Sequence, residues 1–218
     1  MAVLATYYLS GVNFTTYGVY VSRSSGILDR GAVKDLVKHD WKEYNGEVVD
    51  LTNKYYQSRE IVLDCFIKAA TKADFVDKWV TFMQLFDSAG TRRLHVDIST
   101  TKPLLFEVYS AGELSLTKTW SAGAMSGTFK LVLTEPNPQK RILKHTGSVS
   151  TTCTITITSA KLIDIHWGDG TVTRDVSGTA KVSEHTYANA NDYYVVLAGC
   201  IDEITALTTS ATVVWSKL

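Results

Sequence analysis

The stretch His-Trp-Gly-Asp-Gly-Thr at residues 166–171 carries the clearest structural signal in this chain. Gly168 and Gly170 can adopt the positive φ angles of a tight turn, because neither has a Cβ atom. The carboxylate of Asp169 can accept backbone N–H groups within the same turn. The pattern therefore predicts two strands joined by an aspartate-centred turn.

Two aromatic residues belong to the same pattern. Trp167 ends a strand predicted over Leu162–Trp167, and its ring is large enough to cover the core of a β-sandwich. Tyr187 can pack its ring inside while its hydroxyl bonds a nearby backbone group. The residues of the predicted structural turn motif are Trp167, Gly168, Asp169, Gly170, Thr171, His185 and Tyr187.

The sequence from about residue 151 to 218 resembles the polycystic-kidney-disease (PKD) family of β-sandwich domains. The resemblance lies in Trp-Gly-Asp-Gly-Thr at 167–171, His-Thr-Tyr at 185–187 and Tyr-Val-Val-Leu at 194–197. It implies an immunoglobulin-like sandwich, which we place at residues 139–218. Such domains are usually stalks, spacers or binding modules, so the resemblance favours a structural or binding role over a catalytic one.

The carboxylates near this turn are too few for a metal site. Ca²⁺ needs several oxygen ligands together, and only Asp169 and Asp175 are locally available. Asp164 and Asp169 form a pair of carboxylates in sequence, but no further pattern of polar residues accompanies them. We therefore interpret Asp169 as a structural turn residue and expect no metal site.

The histidines do not form a catalytic pattern. His95 and Asp97 share a face of a predicted strand, but no Gly-x-Ser-x-Gly sequence or third metal ligand accompanies them. His166 and His185 could approach the turn, where we interpret them as structural. The turn also lacks the lysine and helix of a phosphate-binding loop. We expect no enzyme, no catalytic residue, no cofactor-binding residue and no cofactor.

Composition and charge exclude further classes of function. The chain has 218 residues, and its 22 Lys plus Arg balance 22 Asp plus Glu. No basic stripe stands out, so we expect no nucleic-acid binding. The absence of an apolar run of about 18 residues predicts no membrane segment, and the first eight residues lack a signal-peptide pattern.

The three cysteines, Cys65, Cys153 and Cys200, do not form a zinc motif. Cys153 and Cys200 could approach each other within the sandwich. Without a secretion signal, however, we expect all three thiols to be reduced and buried.

A domain boundary is predicted near Glu135–Gln139, where two of the three prolines lie, because proline ends strands and stiffens connections. Residues 1–138 form the first predicted domain, a sandwich- or barrel-like arrangement of strands, so the fold class is mainly β (all-β with one helix). Apolar residues alternate from Ile61 to Ile67, which is typical of a half-buried strand. Further strands are predicted at Tyr17–Arg23, Arg93–Ile98, Leu104–Tyr109, Glu113–Trp120 and Thr128–Thr134.

One helix interrupts these strands. Thr71 is its predicted N-cap, with Asp74 three residues on as a variant capping box, and Gly90 is its predicted stop. Apolar residues recur at helical spacing, and we interpret them as a face packed on the sheet. They are Phe75, Val76, Trp79, Val80, Phe82, Met83 and Phe86.

The segment between Ser24 and Tyr56 is polar and mixed in composition. Long loops in compact domains are usually functional or mobile. Two interpretations remain open: an arm that orders against a neighbouring molecule on assembly, or a solvated insertion.

The first domain, from about Ala5 to Pro138, resembles the N-terminal domain of siphophage distal tail proteins, which also occur in prophages. The resemblance implies a hexameric ring that joins the tail tube to the baseplate or tip. Many members of that family carry an extra C-terminal module outside the ring. The elements that carry the resemblance are, in order, Leu-Ser-Gly-Val-Asn-Phe at 9–14, Tyr-Gly-Val at 17–19, Arg-Glu-Ile-Val-Leu at 59–63, the helix with Trp79, the strand at 93–98, and Gly-Thr-Phe-Lys-Leu-Val-Leu at 127–133.

We therefore predict a virion structural protein of a phage or prophage tail, a distal tail or baseplate hub subunit. It would reside in the virion tail, and in the bacterial cytoplasm during assembly. Its expected partners are further copies of itself in a ring, tail tube proteins and baseplate or tip proteins; host surface polysaccharide is a further candidate. The alternatives are a carbohydrate-binding or adhesion protein with a PKD-type spacer, and an accessory domain of a hydrolase.

Overall fold

The structure is a computed structural model that describes residues 5–52, 54–99, 101–121 and 123–218. Over these residues the fold is mainly β with one α-helix, which confirms the predicted fold class. No described helix is long and apolar enough to cross a membrane. The elements up to residue 138 are β1 (Thr6–Leu9), β2 (Val12–Asn13), β3 (Val19–Ser25), β4 (Lys38–His39), β5 (Val48–Val49), β6 (Arg59–Ala69), α1 (Lys72–Gln84), β7 (Arg92–Asp97), β8 (Leu104–Val108), β9 (Leu116–Ser121) and β10 (Ala124–Glu135). The later elements are β11 (Lys140–Gly147), β12 (Thr151–His166), β13 (Val172–Tyr187), β14 (Asn191–Gly199), β15 (Ile204–Thr209) and β16 (Thr212–Trp215).

Residues 5–138, called the first half below, contain two antiparallel sheets of four strands each. The strand orders are β2-β1-β7-β8 and β3-β6-β10-β9, and β4 pairs with β5 in a separate hairpin. In β6 the alternate residues from Ile61 to Ile67 are buried, as the sequence predicts. Apolar side chains from both sheets and from α1 meet in one hydrophobic core.

The helix begins where the sequence predicts. Thr71 is the N-cap, and its hydroxyl oxygen accepts the backbone N–H of Asp74 at 3.1 Å. This bond satisfies one of the free backbone donors of the first turn. The carboxylate of Asp74 pairs with the ammonium group of Lys78 at 2.9 Å, one turn along the helix.

The predicted stop at Gly90 is wrong, because the helix ends at Gln84. The N–H groups of Leu85 and Phe86 bond carbonyls only three residues back, at 3.3 and 3.0 Å. This tighter 3-10 geometry closes the helix before the glycine is reached.

The apolar stripe of the helix is only partly its packed face. Phe75 and Phe82 are buried in the first core. Val76 and Val80 are 47% and 40% exposed, so the interpretation that they pack on the sheet is wrong. The seven apolar residues cover more of the helix circumference than one sheet surface can bury.

Two strand boundaries also differ from the prediction. Tyr17 lies in a short 3-10 helix, Phe14–Tyr17, and β3 begins only at Val19, after Gly18 with φ +65°. The strand predicted over Glu113–Trp120 begins at Leu116.

Residues 139–218, called the second half below, form one antiparallel network around their own core. The strand order is β13-β12-β14-β11-β16, and β15 pairs with β12. β12 changes partner along its length: residues 155–159 pair with β15, and residues 163–166 pair with β14. On its other edge β12 pairs with β13, and the register of that pairing shifts between residues 159 and 163. Because such irregularities bend a strand, β12 can follow the curved core.

The strand β8 is buried along its whole length because it lies between the two halves. Its residues 104, 106 and 108 face the first core, whereas Leu105 points the other way into a smaller core. The other buried members of that smaller core, all from the second half, are Ile142, Val196 and Ala198. The two halves therefore pack directly against each other.

Candidate functional site

Asp169 is held by hydrogen bonds at the turn between β12 and β13. Its Oδ1 accepts the backbone N–H of Thr171 at 3.0 Å and the Thr171 hydroxyl at 2.6 Å. Its Oδ2 lies 2.6 Å from Nε2 of His185. Burial alone would raise the pKa of Asp169, but the bonds from Thr171 and His185 outweigh it and hold that pKa below its usual value. Both carboxylate oxygens are thus engaged within the motif.

The two aromatic residues of the motif are buried beneath this turn. Trp167 is 1% exposed, and its Nε1 donates to the Thr173 hydroxyl at 2.9 Å. The Tyr187 hydroxyl donates to the backbone carbonyl of Trp167 at 2.8 Å. The His185 ring stacks on Trp167, with ring centroids 5.2 Å apart. Buried polar tips of large aromatic rings need such partners.

The two glycines of the turn serve different purposes. Both have positive φ, +101° at Gly168 and +96° at Gly170. A Cβ atom on Gly168 would lie 2.7 Å from the carbonyl oxygen of Tyr194 and 3.1 Å from Nη1 of Arg93, whereas nothing lies within 4 Å of one on Gly170. Gly168 therefore permits the turn and also lets the Tyr194 carbonyl and the Arg93 guanidinium lie close to the backbone.

The other carboxylates near the turn do not converge on Asp169. Asp164 accepts the backbone N–H of Asp175 at 3.0 Å and lies 3.4 Å from Nη1 of Arg174. Among the described residues, no group of three or more His, Cys, Asp or Glu side chains could hold a metal ion. The candidate pair Asp164 and Asp169 thus serves two separate sets of partners.

The His95 ring lies at the junction of the halves. It stacks on Tyr8 with ring centroids 5.2 Å apart, and the Tyr194 ring lies 6.2 Å away. Burial lowers the pKa of His95 and so favours the neutral ring. Its Nε2 has no hydrogen-bond partner in the part of the chain that the structure describes.

Arg93 on β7 joins the two halves beside the turn. Its Nε donates to Oε1 of Glu107 on β8 at 2.6 Å. Across the junction, Nη1 donates to the carbonyl of Tyr194, and Nη2 donates to the carbonyl of His166 at 3.4 Å. Hydrogen bonds from a charged donor are stronger than neutral ones, so Arg93 fixes the end of β12 and the middle of β14 on the first half.

His166 lies in this junction and away from Asp169. It is 6% exposed, and its Nδ1 lies 3.7 Å from Oε2 of Glu107. Burial lowers the pKa of His166 in spite of the nearby Glu107 carboxylate. Of the two histidines near the turn in sequence, only His185 contacts Asp169.

A second charged cluster is buried at the chain connection between the halves. Glu135 and Lys140 are each 1% exposed and form an ion pair. Arg59 Nε lies 3.0 Å from the other Glu135 oxygen, although not in hydrogen-bonding geometry, and its Nη2 donates to the carbonyl of Pro138 at 2.8 Å. The Lys140 ammonium lies 4.2 Å from the centroid of the Phe106 ring. Burial raises the pKa of Glu135 and lowers that of Lys140 to about 8.

Neither of these two charged clusters is predicted from the sequence. A signal existed for one residue, because strand alternation places Glu135 on the same buried face as Leu131 and Leu133. For Arg93 and Glu107 no local pattern indicates a partner, since Arg93 bonds residues 73 and 101 positions away.

The cysteines differ in their exposure. Cys65, Cys153 and Cys200 are all free thiols. Cys65 and Cys153 are buried as expected, and burial raises the pKa of Cys65 to about 12. Cys200 is only partly buried, so the expectation of burial is wrong there.

A further surface is the arm, defined as residues 28–52 and 54–55, which follows β3 and contains the hairpin of β4 and β5. A bridge between Val33 and Tyr56 closes its base. Much of the exposed apolar surface of the described chain lies here. Its exposed large hydrophobic residues are Leu28, Val37, Trp41, Tyr44, Val48, Leu51 and Tyr55.

Comparisons with known proteins give a likeness to solved structures but none to a protein family or a curated protein. No protein-family model matches the chain, and no curated protein matches it. Among solved structures, the chain is similar to the crystal structure of the SPP1 Dit (gp 19.1) protein, described as a paradigm of the hub adsorption apparatus in phages that infect Gram-positive bacteria. The match covers 88% of this chain and 79% of that one, with 14% identity and a TM-score of 0.44. We assign no function from a likeness at this level.

Proposed function

We propose that this protein is a structural subunit of a phage or prophage tail that assembles into a ring, as a distal tail or baseplate hub protein does. The resemblance of residues 5–138 to distal tail proteins suggests this class and a hexameric ring. The partners would be further copies of the chain, tail tube proteins and baseplate or tip proteins. The protein would act in the virion tail after assembly in the bacterial cytoplasm, without catalysis.

The exposed apolar residues of the arm are the observation that carries this proposal. Trp41 and Tyr44 are 56% and 62% exposed, and neither contributes to a core of the described chain. Several exposed apolar residues along one segment favour an interaction site, whereas single exposed apolar residues are normal on any protein surface. Large aromatic side chains are also the commonest anchors of protein interfaces. An arm with these side chains therefore favours assembly over a solvated insertion.

The open sheet edges of the first half support a closed ring. β3 and β9 are the two edges of one sheet, and five of the six residues of β9 are exposed. All pairings in that sheet are antiparallel, so β3 and β9 run in opposite directions. The β9 of one copy could therefore pair with the β3 of the next as antiparallel strands. Head-to-tail contacts form a ring when the rotation between copies closes, and closure would leave neither β3 nor β9 as a free edge.

The second half would be a PKD-like sandwich, domain 139–218, carried on the rim of the ring. The burial of Trp167 and Tyr187 and the Asp169-centred turn support that assignment. The contacts of Arg93 and Lys140 would fix it on residues 5–138 and so prevent it from swinging freely. Its outer surface could then present one constant face to other tail proteins.

Native mass by light scattering, followed by negative-stain imaging of the main species, tests the ring. The measurement is repeated up to high concentration, because ring subunits can dissociate when dilute. A six-membered ring with a central channel is the expected result. A monomer at every concentration contradicts self-assembly and favours an independent binding module.

Carbohydrate binding is the alternative, and one groove favours it. A cavity of about 420 Å³ lies between the base of the arm and the junction. Tyr55, Tyr56, Asn137 and Asp202 are among its lining residues, and they offer both the aromatic surface and the polar groups that sugars require. Binding in a glycan array that is lost in Tyr55→Ala would support this alternative.

A further inference from the structure

The tip of the arm, residues 38–50, combines aromatic side chains with excess negative charge. Trp41 and Tyr44 are its most exposed aromatic residues. Lys38 and Glu47 neutralise each other in an ion pair at 2.8 Å. The remaining charged residues of the tip, three acidic and one basic, are Asp40, Glu43, Asp50 and Lys42.

A second exposed surface, the helix–strand patch, combines apolar side chains with positive charge. It consists of Lys72, Val76 and Val80 on α1 and of Lys118 and Trp120 on β9. Trp120 is 38% exposed, and the two ammonium groups lie 5.6 and 5.1 Å from its ring centroid. Neither lysine forms an ion pair with any residue that the structure describes.

The arm and the patch lie at opposite edges of the same sheet. The arm follows β3, whereas the patch includes β9. The arm leaves β3 at the level of Val62, and Trp120 lies at the level of Ala69. At about 3.3 Å per residue, this is an offset of about 23 Å along the strands.

We propose that the tip of the arm binds the helix–strand patch of a second copy of this chain, the next subunit of the ring. This inference rests on the proposed ring, since a contact between β3 of one copy and β9 of the next brings the strand that leads into the arm of the first next to the strand that carries Lys118 and Trp120 of the second. Trp41 and Tyr44 would pack against the apolar side chains of the patch. Asp40 and Glu43 would lie near its two lysines.

The charges would select the partner and the apolar contacts would supply most of the affinity. Rim charges mainly affect association rate, specificity and salt dependence, whereas buried aromatic anchors dominate interface energies. When the charges of only one surface are reversed, like charges face each other and repel. Combining that variant with one whose other surface is reversed restores attraction, so the pair of variants tests this contact separately from other ring contacts.

The experiment uses two complementary full-length variants, Lys72→Glu/Lys118→Glu and Asp40→Lys/Glu43→Lys. We expect each variant alone to self-associate at least about tenfold more weakly than wild type in analytical ultracentrifugation. An equal mixture should recover the oligomer, because alternating subunits restore opposite charges at every contact. A matched control, Lys161→Glu/Lys181→Glu, changes two exposed lysines of the second half and should assemble like wild type.

The outcomes separate this contact from the ring itself. If wild type forms a ring and both variants do so equally well, the arm does not bind the patch, whereas the proposal that the protein assembles into a ring is supported. Failure of the mixture to recover the oligomer also overturns the contact. If wild type forms no oligomer at any concentration, the ring proposal and this inference fail together.

Discussion

The two glycines of the Asp169-centred turn have the same backbone conformation in different surroundings. We expect Gly170→Ala to cost about 1 kcal/mol of unfolding free energy, because its only penalty is an alanine at positive φ. Gly168→Ala should cost at least about 1 kcal/mol more, since its Cβ would also press against the carbonyl of Tyr194 and the guanidinium of Arg93. Urea unfolding of both variants measures the difference.

This comparison contains its own control, because both substitutions add the same methyl group at similar φ. Equal losses of stability in the two variants would show that Gly168 serves only the turn. A larger loss for Gly168→Ala would show that the turn also supports the junction with Arg93.

The buried cluster of Arg59, Glu135 and Lys140 contains two positive groups and one negative group. Glu135→Gln should cost about 3–5 kcal/mol of unfolding free energy, because it leaves two buried cations without a carboxylate. Lys140→Met should cost much less, since the pair of Arg59 and Glu135 remains and burial of an apolar chain needs no charge compensation. Denaturant unfolding tests this asymmetry, and equal costs would contradict it.

The pH dependence of stability should carry the signature of Lys140. Burial lowers its pKa in the folded chain from 10.5 to about 8. Between these pH values the folded chain has released a proton that the unfolded chain still binds. The contribution of this group to stability therefore rises with pH across the window and is lost as the pH falls through about 8.

Lys140→Met removes this titrating group and provides the comparison. The unfolding free energy of wild type minus that of the variant should increase between about pH 8 and 10.5. A difference that stays constant across this range would contradict the lowered pKa of Lys140 in the folded chain.

At the scale of elements, we expect the arm to be needed for assembly of the subunits but not for folding of the chain. Most of the tip, residues 38–50, is exposed, and none of its residues belongs to a hydrophobic core. Replacing residues 38–50 by a short Gly-Ser turn should therefore change the thermal unfolding midpoint of the dilute monomer only slightly. The same replacement should abolish the oligomer, as measured by light scattering. A large loss of monomer stability would show that the tip packs on its own chain.

At the scale of the whole molecule, we expect the junction to make the two halves unfold as one cooperative unit. Leu105 is 1% exposed and faces residues of the second half. Leu105→Ala should cost about 2–5 kcal/mol, as is usual for a buried leucine, and should separate the calorimetric transition into two. The exposed Leu162, 56% accessible, is the control, and Leu162→Ala should stay within about 0.5 kcal/mol of wild type.

A single unchanged transition in Leu105→Ala would mean that the other contacts of the junction, among them the charged clusters and Trp215, suffice to couple the halves. Two transitions already present in wild type would contradict the cooperative unit. Small-angle scattering of Leu105→Ala distinguishes separation of the two halves from a loss of packing around residue 105 alone. Only free motion of the halves relative to each other increases the radius of gyration.

Much of the local structure was predictable from sequence. The alternation in β6 and the cap at Thr71 depend on residues a few positions apart, and both predictions are confirmed. The helix stop at Gly90 failed because backbone bonds at Leu85 ended the helix first. The packed stripe of α1 was too wide because hydrophobicity alone does not reveal how much of a helix one sheet covers.

The sequence by itself determined the β-rich class, the alternation of the strands and the position of the helix start, since these depend on backbone preferences and near neighbours. Only the tertiary structure decided how the halves meet. Leu105 turns away from the first core, Arg93 bonds carbonyls 73 and 101 residues away, and Lys140 is buried with Glu135. Such contacts arise when distant strands are brought side by side, and no local spacing in the chain encodes which strands will meet.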